Sequence, residues 1–185
     1  MKEETLEIRW HGRGGQGAIT AAKIVAQAAF DSGFRGVVMA PSFGTERRGA
    51  PVDASLKIAK TKIHDLGSIE HPDVVVVLDD ALLGEVNVTA GMKPGGILVI
   101  NTSKAREDFD FDQFKLATAD VTGLAEKAGL KRGIVNTGII GALAKALPIV
   151  PLSALLQAIE VEFEGNKGRE NAEAARMTHA HTEAD

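Results

Sequence analysis

The sequence predicts an α/β fold, a three-layer Rossmann-like domain with a mostly parallel sheet. Three observations carry this expectation. A short run, Leu6-Glu7-Ile8-Arg9-Trp10, passes through a glycine-rich turn straight into a helical pattern that begins at Ala18. Val74-Val75-Val76-Val77-Leu78 and Ile97-Leu98-Val99-Ile100 are continuous apolar runs of strand length, as parallel strands covered on both faces tend to be. Stretches of helical periodicity alternate with these strands, and that alternation builds a layered sheet.

Taken in order, residues 5–11 read as the first strand and 17–32 as the first helix, closed by Gly33 in the C′ position. Gly36-Val37-Val38-Met39-Ala40 is a short buried strand that stops at Pro41. Residues 41–51 hold too much Gly and Pro for regular structure and read as a loop. Val52, Ala54, Leu56 and Ile58 alternate with more polar residues, the pattern of a half-exposed strand at or near an edge. A turn at Lys60-Thr61-Lys62 leads to a short strand or arm around Ile63.

After the central strand at Val74, residues 80–91 read as helical, and Lys93-Pro94-Gly95-Gly96 turns into the next strand. Residues 103–113 are polar and irregular; Phe114 to Ala119 forms a last strand, and Asp120 caps a helix to Ala128. Ile134 to Ala144 is apolar on nearly all sides, which predicts a buried helix. Its small residues Gly138, Gly141 and Ala142 suit close backbone packing. Ser153 to Phe163 is an amphipathic helix, and residues 166–177 form a polar one. Residues 1–177 therefore read as a single domain, and 178–185 as a frayed tail.

The totals exclude several functions. The chain has 185 residues, of which 44% are hydrophobic and 25% charged, enough for an ordinary soluble core. A net charge of −4 and only 4% aromatic residues argue against a nucleic-acid partner, which calls for basic patches and stacking platforms. With no cysteine there is no disulfide, no thiolate-bound zinc, no cysteine-ligated iron–sulfur cluster and no cysteine nucleophile. The start, Met1-Lys2-Glu3-Glu4-Thr5, lacks a secretory apolar region. No apolar run approaches the ~20 residues of a membrane span. The expected location is the cytoplasm.

The chemistry concentrates at His11-Gly12-Arg13-Gly14-Gly15-Gln16-Gly17. Gly12, Gly14 and Gly17 stand at G-x-G-x-x-G spacing between a strand and a helix, a turn that brings backbone N–H groups to a phosphate or diphosphate. Arg13 and Gln16 add a cation and an amide at the same turn. The plain alternative is a tight strand–helix turn that binds nothing. A dinucleotide site also wants an acid at the end of the second strand, but that strand ends Met39-Ala40-Pro41. NAD binding is therefore the minor expectation.

Thr45-Glu46-Arg47-Arg48-Gly49 follows instead. Paired arginines suit a phosphate, although a salt bridge or a subunit contact explains them as well. Asn136-Thr137 stands before a helix, where N-capping is the ordinary explanation. Asp79 and Asp80 end a strand and are either a helix cap or an acid or metal pair. His11, His64 and His71 are isolated, His179 and His181 fall in the expected frayed tail, where metal binding is not expected, and no catalytic or metal-binding constellation stands out.

Four motifs occur together in order: His11-Gly-Arg-Gly-Gly-Gln-Gly-Ala-Ile-Thr-Ala-Ala-Lys, Phe43-Gly-Thr-Glu-Arg-Arg-Gly-Ala-Pro-Val, Pro72-Asp-Val-Val-Val-Val-Leu-Asp, and Asn136-Thr-Gly-Ile-Ile-Gly-Ala. In this the chain resembles the gamma subunit of the 2-oxoacid:ferredoxin oxidoreductases, closest to the pyruvate synthase branch. The resemblance implies a complex that converts a 2-oxoacid and coenzyme A, reversibly, into acyl-CoA, CO2 and reduced ferredoxin. It implies partner alpha, beta and ferredoxin-like delta subunits that carry thiamine diphosphate, Mg and [4Fe-4S] clusters. The gamma chain then helps assembly and coenzyme A binding and is not itself catalytic. Gly12, Arg13, Gly14, Gly15, Gln16, Gly17, Arg47, Arg48, Asn136 and Thr137 become the residues expected to face coenzyme A, a partner subunit, or both. A stand-alone NAD(P)-dependent oxidoreductase and a purely structural scaffold are the rival expectations.

Overall fold

The computed structural model describes residues 5–41, 48–165 and 167–185. Arg47 and the rest of 42–47 lie outside the described residues, so that part of the expected arginine loop has no structural account.

The described chain forms a seven-stranded sheet in the order β2-β3-β1-β4-β5-β6-β7. The strands are β1 (Leu6–Arg13), β2 (Gly36–Pro41), β3 (Pro51–Ala59), β4 (Val74–Val77), β5 (Ile97–Asn101), β6 (Lys115–Ala119) and β7 (Glu183–Ala184). β1, β4, β5 and β6 run parallel to one another in that succession. β3 is antiparallel to both β1 and β2, and β7 is antiparallel to β6. The sheet is thus mostly parallel, as expected. The all-valine β4 is buried at every position at its centre, because β-branched side chains fit a pleat covered on both faces.

The helices are α1 (Ala18–Asp31), α2 (Val121–Lys127), α3 (Gly138–Ala146), α4 (Leu152–Glu162) and α5 (Gly168–His181). Residues alternate across the sheet: Ile8, Trp10, Val74, Val76 and Val99 join one core with α1, α3 and α4. Val75, Val77, Leu98 and Ile100 face a second core with Leu82, Val88, Met92 and Phe114. Loops and short 3-10 turns, not α-helices, cover that second face. α5 packs on the far side of α3, where its Ala175 carbonyl lies against Gly141.

Several elements differ from expectation. Residues 80–91 supply only a 3-10 helix, Asp80–Gly84, because Gly84 and the polar and β-branched residues after it give no helical face. β3 is near an edge, as expected, lying between the edge strand β2 and β1, but Leu56 to Ala59 are buried, not half-exposed. No strand forms around Ile63, whose backbone and side chain instead close over Gly36. The buried helix begins at Gly138, four residues later than the apolar pattern.

The chain end also departs from the expected frayed tail. α5 continues to His181, and β7 pairs with β6 through Ala117 opposite Ala184 and Thr118 opposite Glu183. Asp185 accepts the Leu116 N–H at 2.7 Å and pairs with Arg106, so the polar tail meets partners that local composition does not announce.

Candidate functional site

β1 ends at the glycine turn on the same sheet edge where β4 ends at Asp79 and Asp80. From β1 the chain crosses to β2 on one side, whereas β4 to β6 extend on the other. A crevice at such a switch point is the usual ligand position of an open α/β sheet. The turn itself is shaped by glycine. Gly15 and Gly17 have φ of 93° and 82°, values that cost an L side chain free energy. Gly17 occupies the N-cap of α1, which has no side-chain cap and no acid in its first turn. The first intrahelical bond runs from the Ala21 N–H to the Gly17 carbonyl. Gly17, Ala18, Ile19 and Thr20, at the positive end of the helix, line a groove beside the turn.

The chain from Arg48 to Ala50 is pinned onto this turn. The Gly14 N–H donates to the Ala50 carbonyl at 2.9 Å, and the Gly49 N–H donates to the Gly14 carbonyl at 3.0 Å. A β-bridge between Gly14 and Arg48 completes the contact. Arg48 is exposed there, beside a groove of about 700 Å³ that Arg13, Gly15, Gly17, Thr20 and Val52 also line. The turn and the arginine that the sequence paired are therefore brought together.

Arg13 and Gln16 are placed differently from a pair of open anion contacts. Arg13 Nε donates to Asp79 Oδ2 at 2.8 Å, and its Nη1 and Nη2 donate to Glu85 at 3.1 and 2.5 Å. Nη1 also donates to the Gly49 carbonyl at 3.2 Å. Gln16 Oε1 accepts the Arg13 N–H at 2.8 Å while its Nε2 donates to Asp79 Oδ2 at 3.1 Å. Hydrogen bonds that it donates to Glu85, then to Asp79, hold the Arg13 guanidinium protonated well above its ordinary range. Arg13 in turn keeps the Glu85 carboxyl low. Burial pushes Asp79 up, yet the bonds it accepts from Arg13, the Ala81 N–H and Gln16 outweigh that and lower it.

Asp79 is also the N-cap of the 3-10 helix, accepting the Ala81 N–H at 3.0 Å. Asp80 pairs with Lys104 at 3.1 Å and accepts from Thr102 Oγ1 at 2.8 Å. Of the two expected explanations the helix cap holds for Asp79, whereas Asp80 stands in an ion pair that neither anticipated. A second cleft of about 460 Å³ opens over the ends of β4, β5 and β6, lined by Asp80, Asn101, Thr122 and Arg132 among others. Asn101 is fully engaged there: Nδ2 donates to the Leu78 carbonyl at 2.9 Å and Oδ1 accepts the Thr122 N–H at 3.3 Å.

Asn136 does reach the turn, since a Cβ on Gly17 would meet its side chain at 2.9 Å. Gly17→Ala would therefore suffer both a left-handed backbone and this contact. We expect it to destabilise the fold by about 2 kcal/mol and to displace the start of α1. Chemical denaturation of the variant checks the energy, and an unchanged midpoint would contradict it. Thr137 corrects the capping expectation. It stands at the N-cap of α3 but makes no side-chain cap bond. Its hydroxyl donates to Asn171 Oδ1 at 3.0 Å, a buried tie to α5.

The dinucleotide expectation weakens further in three dimensions. Because β3 lies between β1 and β2, the end of β2 stands two strand spacings, ~10 Å, from the glycine turn. An acid there would not reach a ribose seated on α1. The residues that sequence reading missed are Glu85 and the role of Asp79. Their only signal was an acid ending a strand, which is common.

Comparison with known proteins bears on the family and the fold. The family described as pyruvate ferredoxin/flavodoxin oxidoreductase matches residues 7–180. A Thermococcus kodakarensis protein, the pyruvate/ketoisovalerate oxidoreductases common subunit gamma, is 50% identical over 92% of this chain and 93% of its own. Pyruvate synthase subunit PorC of Methanothermobacter thermautotrophicus is 44% identical over 96% of each. The crystal structure of pyruvate oxidoreductase subunit PORC from Thermotoga maritima superposes with a TM-score of 0.84 at 36% identity, covering 99% of both chains. A 2-oxoglutarate:ferredoxin oxidoreductase from Magnetococcus marinus, with 2-oxoglutarate, coenzyme A and succinyl-CoA bound, shares the fold alone at 19% identity and a TM-score of 0.75. This chain covers 31% of it. Motif order, strand topology and near full-length identity converge, and the chain belongs to the pyruvate ferredoxin/flavodoxin oxidoreductase family, among its gamma-type subunits.

Proposed function

We propose that the chain is the gamma subunit of a coenzyme A-acylating 2-oxoacid:ferredoxin oxidoreductase and that its glycine-turn groove receives the anionic end of coenzyme A. The observation that carries this reading is the uncapped N-terminus of α1 with Arg48 bridged beside it through Gly14. Free amides at a helix N-terminus and an exposed guanidinium together suit a diphosphate. Asn136 under Gly17 supports the same turn from below.

In this reading the chain binds and orients; it does not carry out the redox step. Having no cysteine, it offers no thiolate to an iron–sulfur cluster. Thiamine diphosphate, Mg and the [4Fe-4S] clusters belong to the alpha, beta and ferredoxin-like delta partners, and pyruvate is the preferred 2-oxoacid. No helix among the described residues is long and apolar enough to cross a membrane. The complex would work in the cytoplasm.

The test is Arg48→Ala in the assembled complex. Loss of one charge-assisted hydrogen bond of about 1.5 kcal/mol raises the coenzyme A KM about tenfold and leaves the KM for pyruvate unchanged. An intact complex with an unaltered coenzyme A KM would overturn the assignment. A complex that no longer assembles would place Arg48 in a subunit contact instead. Tight NAD(H) or NADP(H) binding by the chain would favour the stand-alone oxidoreductase.

A further inference from the structure

We propose that Asp79 is the positioning residue of the anion groove, holding Arg13 and Gln16 as a brace so that the α1 amides and Arg48, rather than Arg13, meet the ligand. This rests on the coenzyme A reading above. The brace is a closed ring of three side chains and the Arg13 backbone N–H. Asp79 Oδ2 accepts from Arg13 Nε at 2.8 Å and from Gln16 Nε2 at 3.1 Å, and Gln16 Oε1 returns to the Arg13 N–H at 2.8 Å. The Gln16 N–H closes the turn on the Arg13 carbonyl at 2.9 Å. Only Gly14 and Gly15 lie between the two braced residues. The carboxylate is itself fixed, because Asp79 Oδ1 accepts the Ala81 N–H at 3.0 Å.

Two consequences follow from the chemistry of the ring. A guanidinium has five N–H donors; Arg13 makes four hydrogen bonds with them, to Asp79, to both carboxylate oxygens of Glu85 and to the Gly49 carbonyl. One cation thus faces two carboxylates, so a phosphate approaching Arg13 would meet a local excess of negative charge. Arg48 has no such partner among the described residues and lines the same groove. The bond from Arg13 to the Gly49 carbonyl also passes the position of Asp79 to the residue next to Arg48. Asp79 therefore sets where the groove's cation stands, without touching the ligand.

A double-mutant cycle in the assembled complex tests the role, with KM for coenzyme A, KM for the 2-oxoacid and kcat as readouts. Asp79→Asn should raise the coenzyme A KM about tenfold while the other two constants hold, and Asp79→Glu should restore much of the loss. Because Asp79 acts through Arg13, the pair Arg13→Ala and Asp79→Asn should do no more than Asp79→Asn alone. Multiplying effects would mean that Arg13 contacts the ligand directly and would overturn the proposal. So would an unchanged coenzyme A KM in Asp79→Asn. If Asp79→Asn fails to assemble, Gln16→Met breaks the ring at similar volume and should give the same separation of KM from kcat. Arg48→Ala, measured alongside, separates the two readings. If it has no effect, the coenzyme A assignment itself fails; if it alone has an effect, only the role of Asp79 fails.

Discussion

Gly141→Ala should destabilise the fold by about 3 kcal/mol, one of the largest effects of any single methyl group here. Intrinsic propensity points the other way, since Ala is favoured over Gly inside a helix by up to ~1 kcal/mol. The sign is decided by the crossing of α3 and α5. A Cβ at Gly141 would overlap the Ala175 carbonyl oxygen and stand 3.0 Å from the His179 nitrogen. These are backbone atoms and do not rotate away, so α5 must shift as a whole. Gly138, one turn earlier, is closed instead by side-chain atoms of Val121 on α2 and Thr178 on α5. Thermal unfolding should show the midpoint falling by ~10 °C. Gly84→Ala is the control, because nothing lies within 4 Å of its Cβ. Equal melting of both variants would refute the close helix crossing.

Between pH 6.5 and 4 the protein should lose ~3 kcal/mol of stability through His11. Burial first, and then the charge of Arg9, lower the His11 pKa from 6.5 to about 4, against the opposing pull of Asp53. The folded imidazole thus stays neutral where the unfolded one takes a proton. Above pH 6.5 both states are neutral and His11 contributes no slope. Below 6.5 the unfolded state binds the additional proton, so stability falls with pH, and the loss levels off near 4. Denaturant titrations at pH 7 and pH 5 measure it. His11→Asn should flatten the slope over that window; a slope unchanged by the substitution would assign it to other groups.

His11 also shows what sequence reading resolves. As an isolated histidine before a glycine turn it suggested no role, and its burial depends on the β1–β3 pairing that sets it opposite Asp53. Arg13 and Gln16 were recognised at the turn, but their direction was not. Arg13 meets Asp79 across 66 residues of chain. Nothing local distinguishes an arginine aimed at a phosphate from one held by a distant carboxylate. Thr137 is a similar case, a hydroxyl at a helix start whose partner, Asn171, is 34 residues away.

The sequence by itself determined the central strands, the strand–turn–helix at Gly12 to Gly17, and the small-residue face of α3. Each rests on local properties: β-branched runs that fit a doubly covered pleat, glycines that allow positive φ, and side chains too small to hold helices apart. Absence of cysteine likewise excluded thiolate ligands without any coordinates. Tertiary structure alone decided that β3 would part β1 from β2, that the last residues would add β7, and that Arg13 would pair with Asp79. Those outcomes depend on pairings between distant segments, whose energies come from contacts that exist only once the sheet has formed.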